Sequence, residues 1–160
     1  MFAQPQAEHH WLEQLVGEWK FESACRMSAD QPPMTSRGTA SCRSLGGLWS
    51  LIESEGESPE CGGGWKAMMT IGYDPLSGGF VGSFIGSMMT NLWVYHGALD
   101  ASQRRLVLDT TGPKCDGSGT ARYQDIIEIV EPDHWVLASQ MLGEDGKWTQ
   151  FMEAHYRRTA

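Results

Sequence analysis

Three acidic residues of this chain, Asp109, Asp125 and Glu128, stand within apolar, β-branched segments. A carboxyl group that faces an apolar interior has a raised pKa, and it can act as a general acid or as the polar anchor of a ligand. Asp125 shares the alternation of Tyr123 and Ile127, so it is the acid that we expect to face inward. A purely structural role, in which Asp125 pairs with Tyr123 or with an arginine, stays open.

Methionine and aromatic residues gather in the same middle and late segments of the chain. Together they can form an adaptable, polarisable wall around a small ligand. The predicted pocket is lined by Met69, Trp93, Tyr95, Tyr123 and Met152, with Asp125 or His155 as its polar group. Met152 and His155 have opposite parity in a regular strand, so both face inward only if a bulge intervenes. The alternative is that these side chains simply fill a core.

The sequence predicts no metal site. The four cysteines, Cys25, Cys42, Cys61 and Cys115, lie far apart and lack the paired spacing of zinc ligands, so we expect thiols. A disulfide between Cys25 and Cys42 is the alternative.

Three glutamates, Glu53, Glu55 and Glu57, share one face of a predicted strand. No calcium-loop signature surrounds them, and we expect a solvated surface that binds no Ca²⁺.

No motif in the sequence specifies a reaction. Gly82-Ser83-Phe84-Ile85-Gly86 has one residue too many for a nucleophile elbow, and Gly62 to Lys66 lacks the ending of a phosphate loop. Three functions therefore stay open. The favoured one is binding of a small, largely apolar molecule, and the second is an enzyme that uses an inward carboxylate and a tyrosine. The third is a structural or oligomerisation module, for which a homodimer is possible.

Ten segments of strand length, separated by turn-rich breaks, must position these residues. The predicted strands cover 19–28, 35–45, 48–56, 66–74, 79–86, 91–97, 105–111, 120–130, 134–142 and 148–158. Most connections are too short for a crossover helix, so consecutive strands are expected to pair antiparallel. Closing such a meander removes its free edges, which predicts an all-β, up-and-down barrel formed by one domain over 1–160.

Two local patterns support this arrangement. In the first predicted strand Lys20 and Glu22 alternate with Trp19 and Phe21, which places the aromatic pair inside. An apolar stripe over 9–16 predicts a short helix that ends at Gly17.

Net charge and hydropathy limit the classes of partner that this protein is expected to bind. The 160 residues carry a formal net charge of −8, a field that repels nucleic-acid phosphates and anionic lipid headgroups. No apolar run approaches the length of a membrane helix, and the N-terminus lacks the pattern of a secretory signal. We expect a cytoplasmic protein that binds neither nucleic acid nor membrane.

The order of these features resembles the calycin, or lipocalin-like, barrels. A short helix precedes Gly17-Glu18-Trp19 at the start of the first strand, and Arg157-Arg158 ends the last one. Further short sequence motifs resemble the bacterial domain-of-unknown-function family 1579. They are His10-Trp11-Leu12, Leu45-Gly46-Gly47-Leu48-Trp49, Ile71-Gly72-Tyr73-Asp74-Pro75, Ile85-Gly86-Ser87-Met88-Met89-Thr90, Leu92-Trp93-Val94-Tyr95, Phe151-Met152 and His155-Tyr156-Arg157-Arg158.

The resemblance implies a calycin-like fold in which Trp19 plugs one end of the barrel and Arg157 or Arg158 packs across its ring. It transfers no catalytic residue, and no cofactor is predicted. The fold also resembles barrels of the nitrobindin kind, which hold haem through a wall histidine, so haem on His155 is an alternative. The Arg-x-Tyr pair of fatty-acid-binding relatives is missing, because Tyr156 directly precedes Arg157.

Overall fold

The computed structural model describes residues 1–26, 28–59 and 62–160. Within them a helix, α1, and one 3-10 turn precede ten antiparallel strands that close into a barrel. The helix spans Ala7–Leu12 and the 3-10 turn Glu13–Leu15. The strands are β1 Gly17–Cys25, β2 Met34–Leu45, β3 Trp49–Ser58, β4 Gly63–Asp74, β5 Gly79–Gly86, β6 Trp93–Leu99, β7 Arg105–Pro113, β8 Thr120–Glu131, β9 His134–Leu142 and β10 Trp148–Arg158.

Each strand pairs with its neighbour along the chain, and β1 closes the ring by pairing with β10. In that closing ladder Phe21 stands opposite Tyr156. The predicted alternation of β1 is confirmed, because Trp19 and Phe21 are buried while Lys20 and Glu22 are exposed. The predicted antiparallel barrel is thus the fold of this chain.

The bounds of the ten strands agree with the predicted ones to within three residues at each end. The largest differences include β1, which spans Gly17–Cys25 instead of 19–28, and β6, which spans Trp93–Leu99 instead of 91–97. Gly97, predicted where a strand ends and a turn begins, lies inside β6, where a Cβ would stand only 2.1 Å from the carbonyl oxygen of Val107. A glycine within a strand can allow a neighbouring backbone to come close, and Gly97 has this role.

The predicted helix starts two residues earlier than expected and finishes as a 3-10 turn. The Gln6 backbone N–H donates to Nδ1 of His9 at 2.9 Å, which leaves Nε2 of His9 to donate to the Tyr73 carbonyl at 3.0 Å. Leu12 and Leu15 are buried beneath this segment. The helix therefore covers one end of the barrel, called the closed end below.

Trp19 and Arg158 complete the closed end. The Trp19 indole donates to the Leu15 carbonyl at 2.9 Å, and the Arg158 guanidinium lies 4.2 Å from the centre of the indole ring. Nη1 of Arg158 also donates to the Val16 carbonyl at 2.8 Å. Arg157 is exposed on the outer face, so Arg158 alone makes the contact that the resemblance implied for one of the pair.

Replacement of Arg158 should weaken the closed end. Arg158→Ala removes a partly desolvated cation–π contact and charge-assisted hydrogen bonds, so we expect a loss of about 2 kcal/mol in the free energy of unfolding by urea. Arg157→Ala removes the same charge from the exposed neighbour and should change that free energy by less than about 0.5 kcal/mol. Equal losses in the two variants would contradict this role of Arg158.

Candidate ligand-binding site

The barrel interior divides into two halves that differ in packing. Inward residues near the closed end, such as Ile71, Leu106 and Ile127, each have 0% exposure. Toward the opposite end, inward side chains retain partial exposure, and they include Ala67, Phe84, Trp93 and Met152. We call these the closed half and the open half. Because its inward side chains keep exposed surface, the open half is the part of the interior that a small molecule could contact.

Asp125 lies inside the barrel where the two halves meet. Ser139 Oγ donates to Asp125 Oδ1 at 2.5 Å, and the Tyr95 hydroxyl donates to Asp125 Oδ2. These residues come from β6, β8 and β9, and the β8–β9 register sets Asp125 directly opposite Ser139. The carboxyl group is thus fixed from two sides by hydroxyl groups of neighbouring strands, and it remains partly exposed.

Burial dominates the electrostatics of this cluster. It raises the pKa of Asp125, while the hydrogen bonds from Ser139 and Tyr95 act in the opposite direction. Burial also raises the pKa of Tyr95, with a further contribution from the Asp125 charge. In the described part of the chain no lysine, arginine or histidine forms an ion pair with Asp125. Its partners are therefore neutral donors, neither Tyr123 nor an arginine.

An aromatic chain lines the interior next to this cluster. Trp135 stacks on Tyr156 with ring centres 3.8 Å apart, and Phe21 packs between Tyr156 and Trp65 at 5.3 and 5.6 Å. Burial, and after it the Asp125 charge, raises the pKa of Tyr156 far above its usual range. The tyrosine thus stays a neutral hydroxyl beside the carboxyl group.

Three buried polar atoms have no hydrogen-bond partner within the described residues. They are Nδ2 of Asn91, Oγ1 of Thr110 and Nε1 of Trp135. Trp135 packs edge-on against Trp19, toward the closed end. Thr110 follows Leu108 by two residues along β7, and Leu108 stands opposite Asp125. Buried polar groups are almost always paired, so the unpaired Thr110 hydroxyl marks a place where a bound molecule could supply the missing partner.

The structure brings most of the predicted pocket together. Met69, Tyr95 and Tyr123 are buried inward residues, and Met152 packs against the core. Trp93 stands at the rim of the open half, with its ring 5.1 Å from that of Tyr123.

His155 is the predicted residue that the structure separates from the others. It lies on the outer face of β10, where Nε2 faces Glu153 Oε1 at 2.7 Å and Nδ1 faces Nε2 of His134 at 2.9 Å. The β10 bulge falls between Gln150 and Met152, before both members of the uncertain pair, so strict alternation turns Met152 inward and His155 outward. The expectation that His155 faces the interior, which the haem alternative needs, is therefore wrong.

Two interior residues of this site were missed by the sequence analysis. Ser139 donates to Asp125, and Thr110 is a buried residue of β7, two positions from the strand partner of Asp125. The signal for Ser139 was available, because it continues the buried alternation of Trp135 and Leu137 along β9.

The wall of the open half has a seam between β6 and β7. Their ladder holds four pairs, from His96 to Leu99 on β6, and the first residues of β6 lie beyond it. The Trp93 indole covers this seam by packing against Gly112, where a Cβ would stand 2.0 Å from the ring. The indole N–H also points to the sulfur of Met89 at 2.9 Å.

A surface groove lies outside the barrel, across β10, β1, β2, β3 and β4. Lys20, Arg37 and Arg157 contribute cations to it, and Lys66 lies 3.8 Å from Glu55 within it. Its charged groups are solvated and no buried polar group of the described residues is directed into it, so we place the candidate site in the open half instead.

The glutamate row of β3 is part of this solvated outer surface. Glu53 pairs with Arg43 at 3.0 Å, and Glu55 has Lys66 as its partner. Within the described residues no group of three or more metal-ligating side chains converges. No helix in that part of the chain is long and apolar enough to cross a membrane.

Cys42 and Cys115 differ in their surroundings. Burial raises the pKa of Cys42 to about 12, which makes this thiol unreactive at neutral pH. Cys115 is a free, exposed thiol, and Cys61 lies outside the described residues.

The raised pKa of Asp125 predicts a pH-dependent stability difference. In the folded protein the Asp125 carboxyl group stays protonated at pH values at which the same group in the unfolded chain, with a pKa of about 3.9, is already ionised. Stability from this group is therefore present at low pH and lost as pH rises through the folded-state pKa. Asp125→Asn removes that loss, so its free energy of unfolding should rise relative to wild type between about pH 4 and pH 8.

Urea unfolding at several pH values tests this prediction. Asp109→Asn, on the outer face of β7, controls for the loss of one negative charge. A difference between wild type and Asp125→Asn that does not change with pH would contradict the buried titration.

Gly112 is predicted to set the position of Trp93. Gly112→Ala places a methyl group where the indole now packs, so the ring must move off the seam. The Trp93 indole N–H signal, assigned by its loss in Trp93→Phe, should shift in a ¹H–¹⁵N NMR spectrum. Gly63→Ala has open space at its Cβ and serves as the control. An unmoved Trp93 signal in Gly112→Ala would contradict this packing.

Comparison with known structures supports the fold alone, because the sequence identities are low. An S-type phycobiliprotein lyase, CPES, from Guillardia theta is 12% identical with a TM-score of 0.66, over 97% of this chain and 94% of that one. Rv2717c from M. tuberculosis is 12% identical with a TM-score of 0.63, over 98% of this chain and 100% of that one. EF1p2_mFAP2b, solved bound to DFHBI, is 14% identical with a TM-score of 0.51, over 94% and 98% of the two chains.

Sequence comparison assigns the family. No curated protein matches the chain. The family described as "Protein of unknown function (DUF1579)" matches residues 4–158, almost the whole sequence. Since the match covers the helix and all ten strands, the chain belongs to that family.

Proposed function

We propose that this protein binds a small, largely apolar molecule in the open half of its barrel. The observation that carries the proposal is the Asp125 carboxyl group, held by Tyr95 and Ser139 where a packed interior gives way to a partly exposed one. Binding sites for small molecules commonly combine an apolar wall with one or two directed polar groups. The open half has this composition.

The wall would supply most of the affinity. Phe84, Trp93 and Met152 are apolar side chains that keep exposed surface inside or at the rim of the barrel. Covering such surface with an apolar ligand is favourable by about 25 cal/mol for each Å² removed from water. Met152 is also flexible enough to adapt to ligand shape.

A similarly folded protein adds support. EF1p2_mFAP2b was solved bound to DFHBI, so a barrel of this general architecture can hold a small organic molecule. That likeness concerns the fold, and the ligand of that protein is not transferred to this chain.

The geometry favours binding over catalysis. Both hydroxyl groups of the cluster donate to the same carboxyl group, which makes them supports for Asp125. Ser139 also stands where a nucleophile hydrogen-bonded to a base would stand, with Tyr95 as the third group, but Ser139 is only 6% exposed and its hydroxyl has little access to a substrate.

A neutral fluorescent probe can test the proposal. N-phenyl-1-naphthylamine should bind wild-type protein saturably, with one site and increased emission, because the open half removes its rings from water. Ala67→Trp places a bulky ring in the open half and should weaken binding by about ten-fold or more, equivalent to about 1.4 kcal/mol. Native mass spectrometry of freshly purified protein would also show any retained small molecule.

Lys66→Trp adds the same side chain at the neighbouring, outward-facing position and is the matched control. It should bind the probe like wild type. Non-saturable emission with the wild-type protein, or equal binding by Ala67→Trp and Lys66→Trp when both are folded by circular dichroism, would overturn the proposal.

A further inference from the structure

We infer that the ligand carries a basic nitrogen, an ammonium or amidinium group that pairs with Asp125 inside the barrel. This inference rests on the proposed binding function and adds the charge class of the molecule that is bound.

The first step concerns charge balance. Asp125 receives hydrogen bonds from two neutral hydroxyl groups, and no cationic side chain of the described residues forms an ion pair with it. An enclosed carboxylate without a counter-charge is costly. A ligand cation would provide the counter-charge that the protein does not.

The second step concerns the acceptor capacity of the carboxyl group. An ionised carboxylate offers about four lone-pair sites, and Tyr95 and Ser139 each occupy one, on different oxygens. Both oxygens therefore keep capacity for a further donor. Asp125 is also partly exposed, so a ligand N–H group can reach it from the open half.

The third step concerns ligands of the opposite charge. Arg158 is the cation at the closed end, and it is engaged by the Trp19 ring and by the Val16 carbonyl. Lys20, Arg37 and Arg157 line the groove on the outer surface. A carboxylate or phosphate ligand would thus meet a negative group in the interior, whereas these four cations lie elsewhere.

Rings toward the rim also suit a cation. Trp93 and Tyr123 stand there with their ring centres 5.1 Å apart, and Trp93 keeps exposed surface. Aromatic faces attract ammonium and guanidinium groups by about 0.5 to 2 kcal/mol, depending on desolvation. The same wall therefore accepts the apolar body of the ligand and tolerates its charge.

A matched ligand series tests the inference. The compounds 1-naphthylmethylamine, 1-naphthylmethanol and 1-naphthoic acid share one ring system and differ mainly in charge at neutral pH. Each would compete with N-phenyl-1-naphthylamine on wild-type protein. We expect the amine to bind at least about ten-fold more tightly than the alcohol, because it makes a charge-assisted hydrogen bond, and the acid to bind most weakly.

Two variants locate the preference. Asp125→Asn should reduce the advantage of the amine over the alcohol to less than about three-fold while leaving alcohol binding in place. Asp109→Asn removes an outward carboxylate and should keep the full wild-type ranking. Because the ranking in wild-type protein needs no variant, the test holds even if Asp125→Asn folds poorly.

The outcomes separate the two proposals. Absence of saturable probe binding overturns the proposed function, and the inference with it. Probe binding with equal affinities across the series, or with the acid preferred, overturns the basic-nitrogen inference alone. An amine preference that survives in folded Asp125→Asn would likewise overturn the assignment to Asp125.

Discussion

Pairing of β1 with β10 is the constraint on which the other properties of this molecule depend. It removes the free edges of a long meander, and it divides every strand into an inner and an outer set of side chains. A ten-stranded ring is also wide, so its interior needs either many large side chains or a second molecule. At the closed end the interior is filled by side chains beneath the N-terminal segment, namely Trp19, Leu12 and Leu15.

The division of the interior follows from how that filling is distributed. Fully buried aliphatic residues and the Trp19 plug concentrate apolar burial in the closed half. The stability they provide offsets the cost of partly exposed walls, an unpaired Thr110 hydroxyl and a carboxyl group without a counter-charge in the rest of the interior. Functional sites commonly contain such locally unfavourable features, sustained by a well-packed remainder.

Sequence reasoning predicted the parts of this structure that local patterns control. The turn residues and the two-residue alternation predicted ten antiparallel strands, and the same alternation turned Asp125 inward, as found. Its partners were harder to predict. The contact with Tyr95 depends on the combined registers of β6, β7 and β8, which no single segment encodes. The choice between Met152 and His155 depended on where a bulge falls, which the sequence left open.

Glycines were the other source of error, because a glycine that allows close approach looks in sequence like one that forms a turn. Gly97 and Gly112 were both assigned to turns, yet both lie in strands. One admits a neighbouring backbone and the other admits an indole ring. Only the three-dimensional neighbours distinguish these uses.

The seam beside β6 connects the motion of the wall to the chemistry of the site. This strand has five paired positions with β5 and four with β7, so its local unfolding breaks few hydrogen bonds. The same strand carries the Tyr95 hydroxyl to Asp125, whereas β8 and β9 carry Asp125 and Ser139. An outward displacement of β6 would widen the opening of the barrel and would also remove the Tyr95 hydroxyl from Asp125. Access to the interior and the orientation of Asp125 therefore depend on the same strand.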